Sequence, residues 1–142
     1  MRPHFKWLFI ALSMTFSAIT SAQDLKVEVS GLRSNKGDVH IALFNKPKNF
    51  PYSEAIYIEN KSKIRNKKSS YTFKSLSEGY YAVAVYHDEN NNNKFDQNFF
   101  GIPLEDFGFS NGAKTFLGPP TFEDAKFLIE KTSLKVTIKL NH

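Results

Sequence analysis

Apolar and polar residues alternate with a period of two through much of the chain. Leu25, Val27 and Val29 alternate with Lys26, Glu28 and Ser30, and Leu134, Val136, Ile138 and Leu140 alternate with Lys135, Thr137 and Lys139. Successive side chains of an extended backbone point to opposite faces, so each run predicts a strand with one buried face. Val39, Ile41 and Leu43 give a further strand, and the turn Ser34-Asn35-Lys36-Gly37 before it predicts a hairpin with the first. Two prolines within 45–51 interrupt any ladder, a weak strand follows over 55–59, and Tyr71, Phe73 and Leu76 mark another. The run 80–86 differs. Tyr81, Val83 and Val85 share one face and Tyr80, Ala82, Ala84 and Tyr86 the other, so both faces need cover. The ring-rich segment 95–127 is expected to fold over the outer face, with Ala82 and Ala84 leaving room for its Phe side chains. Thr121-Phe122-Glu123-Asp124 has the form of a capping box and predicts a short helical turn. Phe127–Glu130 reads as extended. The pattern predicts an all-β fold: an antiparallel Ig-like or transthyretin-like β-sandwich of about seven strands, with a long structured loop over 88–120.

Residues 1–22 depart from this pattern. Arg2 and Lys6 precede an uncharged apolar run from Trp7 to Ile19, and Thr20-Ser21-Ala22 ends on a small residue. That is the form of a cleaved secretory signal, and the run is shorter than the roughly 20 apolar residues that span a bilayer. Cleavage before Gln23 leaves one domain of residues 23–142. It removes Arg2 and Lys6 and no acid, lowering the net charge from +5 to +3. The expected location is periplasmic or secreted, with no transmembrane segment after cleavage. The chain has no cysteine, which excludes disulfide scaffolds, thiolate metal clusters and a cysteine nucleophile. Its 14 Phe and 6 Tyr supply the apolar area a cysteine-free domain needs.

Chemistry concentrates in Asp88-Glu89-Asn90-Asn91-Asn92-Asn93-Lys94-Phe95-Asp96. Calcium takes six to eight oxygen ligands, and loops that wrap it place them at positions 1, 3, 5, 7 and 9. Here these are Asp88, Asn90, Asn92, the carbonyl of Lys94, and Asp96. Position 6 needs a sharp turn, and Asn93 tolerates the left-handed conformation. Position 12 is Phe99, so the bidentate Glu of a helix-flanked loop is missing. Glu89, Glu105 and Asp106 are the candidates for the missing ligand. With few carboxylates, affinity would fall in the roughly 10⁻⁴–10⁻³ M range of extracellular modules. The alternative is a solvated Asn-rich turn whose side chains bond their own backbone.

The stretch Leu76-Ser77-Glu78-Gly79-Tyr80-Tyr81 running into Asp88-Glu89-Asn90 resembles the prealbumin-like (transthyretin-like) sandwiches of adhesin repeats and carboxypeptidase regulatory domains. A second resemblance covers nearly the whole chain after residue 22. Ala82 to Asn90, Asn92, Asp96, Phe99-Phe100-Gly101-Ile102-Pro103, Gly108-Phe109-Ser110-Asn111, Gly118-Pro119-Pro120 and Phe122-Glu123-Asp124-Ala125 are similar to the secreted bacterial family termed domain of unknown function 2141. That resemblance implies an exported compact domain and carries over no catalytic residue.

Other features divide the functional classes. His87 beside Asp88 could serve a hydrolase together with nearby carboxylates, but no complete catalytic constellation accompanies it. Lys61, Lys63, Arg65, Lys67 and Lys68 form a basic run without interleaved aromatics. Such a run suits weak contact with an anionic envelope surface or a plain solvated loop, and no nucleic acid. Phe99, Phe100, Phe107 and Phe109 are either core or a surface for an envelope protein or glycan. The leading expectation is a non-catalytic binding or accessory protein with a structural calcium loop. The alternatives are a hydrolase using His87 and a structural or adhesive module.

Overall fold

In the computed structural model the described residues are 21–140. Residues 1–20, most of the expected export signal, lie outside them, as do 141–142. Eight strands form two sheets: β1 (Gln23–Ser30), β2 (Asp38–Phe44), β3 (Ile58–Lys63), β4 (Ser69–Leu76), β5 (Gly79–Asp88), β6 (Phe107–Phe109), β7 (Phe127–Ile129) and β8 (Leu134–Lys139). One sheet has the order β4-β1-β8, the other β3-β2-β5-β6, and β7 also pairs with β5. The fold is thus the all-β sandwich that the alternating pattern predicts, with one strand more. Thr121 caps the single turn of helix α1 (Phe122–Ala125) through a full capping box with Asp124. No helix among the described residues is long and apolar enough to cross a membrane.

Three expectations change. First, β1 and β2 do not form a hairpin. β1 pairs with β4 and with β8, β2 pairs with β3 and β5, and the turn at 34–37 crosses between sheets. Alternation fixes which face of a strand is buried but not its neighbour. Second, the sandwich is not antiparallel throughout, because β1 and β8 run parallel, from Leu25↔Leu134 to Ser30↔Lys139. Third, the basic run is no loop. Lys61 and Lys63 lie on edge strand β3. Arg65 and Lys68 then exchange backbone hydrogen bonds across Asn66 and Lys67, both at positive φ. That is the twisted two-residue turn that suits a tight hairpin, with Asn66 its only sequence signal. Lysines on an edge strand also discourage pairing with another chain.

β5 is apolar on both faces and has two cores. Tyr81, Val83 and Val85 face the other sheet, among Leu25, Val27, Val29, Ile41, Leu43, Phe73 and Ile138. Ala82 faces outward into a smaller cluster of Ala42, Phe44, Phe50, Phe122 and Ala125. The outer cover is therefore narrower than expected. Phe109 and Phe122 from segment 95–127 take part, Phe50 joins them from the loop after β2, Phe95 packs on Tyr86 further along the same face, and Phe99, Phe100 and Phe116 do not take part.

β6 and β7 share one edge of β5 and leave a gap at Val83. The fully buried Ser110 fills it, its Oγ accepting from the Val83 N–H (2.8 Å) and donating to the Ala125 carbonyl (2.6 Å). Ser110→Ala strands both groups in the interior, so urea unfolding should show a loss of about 1–3 kcal/mol. An unchanged midpoint would mean that the gap is not closed by this hydroxyl.

Candidate functional site

The loop leaving β5 curls around its own carboxylates. Asp88 is fully buried. Its Oδ1 accepts from the Asn92 N–H (3.0 Å) and its Oδ2 from the Asn93 N–H (2.8 Å). Asn90 and Asn92 both turn their amide nitrogens to Asp96, at 2.8–2.9 Å. These bonds hold the Asp96 carboxyl below its ordinary range, Asn92 contributing most and Asn90 next. Asn91 and Asn93 adopt positive φ, 61° each. Lys94 enters through its N–H, which donates to Asn92 Oδ1 (3.0 Å).

The three further acids separate in space. Glu89 accepts a hydrogen bond from the Ser34 hydroxyl, and Asp106 pairs with Arg33 Nε at 2.7 Å. Glu105 reaches the loop from outside it, its Oε2 accepting from the Asp96 N–H at 3.2 Å. Glu105 is only 9% exposed, and its Oε1 has no hydrogen-bond partner. Burial pushes its carboxyl up to about 6, and the charges of Asp96 and Asp88 push the same way. No three acidic or histidine side chains among the described residues stand close enough to hold an ion unaided. A cation here would draw on amide and carbonyl oxygens as well, a donor set that suits calcium.

Beside this loop the outer face of the β2–β5 pair opens into an aromatic groove of about 490 Å³. Ala42 and Ala84, directly opposed in the ladder, keep its floor low. His40 and Tyr86, also cross-strand partners, stack at 4.5 Å between ring centres at one end. His40 bridges two acids, with Nδ1 3.2 Å from Glu59 and Nε2 3.2 Å from Asp88. Burial pushes the Tyr86 hydroxyl well above the ordinary phenol range. Phe95 packs on Tyr86 (5.3 Å) and on Phe107 (5.9 Å), and Phe107 continues to Phe109 (6.0 Å). Asn93 and Lys94 of the loop complete the wall. The groove residues His40 and Glu59 escape a reading of the sequence, whereas Tyr86 on the outer face of β5 and Phe95 of the covering segment stand where the sequence placed them. The outward phase of His40 between buried Val39 and Ile41 was the available signal, but its partner Tyr86 depends on strand register.

The four candidate surface rings divide in pairs. Phe107 and Phe109 are half-buried in the groove wall, whereas Phe99 and Phe100 stand in solvent. His87 points the other way from the groove. It is buried with the inner face of β5, and its Nε2 lies 2.7 Å from the Lys36 carbonyl.

Fold and site together define a two-sheet β domain that carries an acidic, Asn-rich loop beside an aromatic groove. A family model described as "Uncharacterized protein conserved in bacteria (DUF2141)" matches residues 27–137. The chain belongs to this bacterial family. No curated protein matches it. Among solved structures, a mutant of the pilus-presented adhesin Spy0125 (Cpa) aligns at 14% identity over 88% of this chain and 28% of the adhesin chain. Its TM-score of 0.33 is too low to carry an argument.

Glu105 gives the site a pH signature. Its carboxyl ionises at about 6 in the folded chain against an ordinary value of 4.5, so between these values the native state holds a proton that the unfolded state has released. Stability in chelator should therefore fall as pH rises through that window, by on the order of 1–2 kcal/mol relative to Glu105→Gln. Parallel pH–stability curves for the two proteins would contradict this.

Proposed function

We propose that this chain is an exported, non-catalytic binding module of the bacterial envelope, ordered by a structural calcium ion that stiffens one wall of its aromatic groove. Asp88, Asn90, Asn92, Asp96, the carbonyl of Lys94 and Glu105 are the proposed ligands, six residues for an ion that takes six to eight oxygens. The observation that carries the calcium reading is the buried Glu105 oxygen without a partner, on a carboxylate whose other oxygen is already bonded to the loop. A buried charge is normally paired or bound to metal. The export signal expected at 1–22 supports an envelope location, periplasmic or secreted.

A binding role is favoured over a hydrolase by the placement of His87. A general base must reach substrate, and this ring is buried against the Lys36 carbonyl on the core side of the sheet. The groove offers rings and a few polar groups at its rim, the composition of a recognition surface. Lys61 reaches Asn93 and Lys63 reaches Asp38, each at 2.7 Å, so these lysines of the basic run serve the domain itself.

Thermal unfolding in calcium and in chelator tests the ion. A ligand that binds only the native state stabilises it, by about 2.7 kcal/mol at a hundred times its Kd. The midpoint should rise in calcium, less in magnesium, and the rise should vanish in Asp96→Asn and in Glu105→Gln. Equal midpoints with and without calcium would leave 88–96 as an Asn-rich turn.

A further inference from the structure

Four large apolar side chains stand almost wholly in solvent on two loops: Phe99 (97% exposed), Phe100 (82%), Phe116 (86%) and Leu117 (96%). Ile102 of the first loop and Leu117 of the second line one hollow, so the tips are neighbours. Single exposed hydrophobes are ordinary on a soluble domain, but a cluster of this size marks an interaction surface. We infer that the two tips form a wedge that docks this chain on the surface of an anionic lipid bilayer. The inference rests on the reading of the chain as a binding module and names the class of its partner.

Three observations favour a bilayer over a protein. The first is shape. Protein interfaces surround their anchor rings with packed neighbours that exclude water. Here the rings project, and Phe99 and Phe100 meet each other edge-on at 5.6 Å. The second is the backbone. A polar group entering a medium of low dielectric must bring its hydrogen-bond partner with it. In the first tip the N–H groups of Asn98 and Gly101 donate to the carbonyls of Ile102 and Asn98. Those of Phe100 and Ile102 donate to the Asn98 side chain, and that of Leu104 to the Asp96 carbonyl. Pro103 has no N–H. The third is charge. The loops 97–104 and 111–120 contain no acid, and their single charged residue is Lys114. Rings that enter the headgroup layer beside a cation suit an anionic membrane surface.

The chain from Gln23 to His142 contains all eight strands and lacks tryptophan, since Trp7 is the only one in the sequence. Phe99→Trp therefore installs a lone reporter in the first tip. With vesicles of phosphatidylethanolamine and phosphatidylglycerol, its emission should shift to the blue and lipid-borne quenchers should reach it. In co-sedimentation, Phe99→Ser with Phe100→Ser should lower partitioning at least about tenfold. Tyr80→Ser, another exposed ring, should leave partitioning unchanged, and unaltered thermal midpoints would show that the variants are folded. Vesicle binding that persists without any calcium stabilisation upholds the wedge and removes only the ion. An unshifted emission, or equal partitioning of the parent and the double variant, overturns the wedge and leaves the calcium reading standing. Self-association that the double variant abolishes, without vesicle binding, also overturns it and assigns the tips to a second copy of the chain.

Discussion

A carboxylate sealed from water organises this domain. Asp88 ends the central strand β5 with no exposed surface, and a buried charge left unpaired costs several kcal/mol. Its oxygens take the N–H groups of Asn92 and Asn93 and face His40 Nε2. Those bonds force the chain to curl as it leaves the sheet, and they tie the curl to the neighbouring strand. The approach from the other side is equally tight. A Cβ on Gly37 would lie 1.9 Å from the Asp88 carbonyl oxygen, so only glycine fits the turn there. One residue earlier, His87 points inward to Lys36. The start of β2 and the end of β5 are thus fastened on both faces of the sheet, and the loop and the groove both grow from that junction.

The two faces of β5 are covered by different means. The inner face meets the second sheet over a largely aliphatic core, as in other sandwiches. The outer face has no sheet to meet, and aromatic side chains from a loop, the short strand β6 and helix α1 cover it. Phe50 packs edge-on against Phe44, Phe109 and Phe122, which closes one end of that face. At the other end the opposed alanines 42 and 84 lack the bulk to fill the space, and the groove remains. The groove is therefore the unfilled part of a second core.

This division explains what could be read from the sequence. Residues such as Val27, Val83 and Ile138 declared their buried face through alternation alone, because burial on a strand has a period of two. The apolar outer phase of 80–86 announced a second layer, and the left-handed turn at Asn93 followed from its residue type and loop position. Strand neighbours were not legible: the parallel pairing of β1 with β8 joins residues more than a hundred positions apart. The same limit hid the groove and left open which further acid joins the candidate loop. Whether Glu89, Glu105 or Asp106 approaches the loop depends on how the chain returns from 97–104 into β6. His40 and Tyr86 meet only through the register of β2 and β5.

The 14 Phe residues show why composition cannot separate core from surface. Phe107 and Phe109 lie two apart on β6 and share its outer face, beside Ala84 and Tyr86 of β5. Gly108 between them faces inward, where a Cβ would lie 2.8 Å from Ile138. Strand geometry thus commits that pair of rings to the groove wall. Phe99 and Phe100 occupy a loop whose hydrogen bonds are internal, closed by the Asn98 side chain and by Leu104 to Asp96. A loop that pairs most of its own backbone N–H groups needs no sheet beneath it and can hold its rings away from the core. Its two ends are Asp96 and Glu105, the acids joined across the candidate ion site. An ion that fixed those acids would fix the base of the exposed tip as well, so order in the loop and presentation of the rings would rise together.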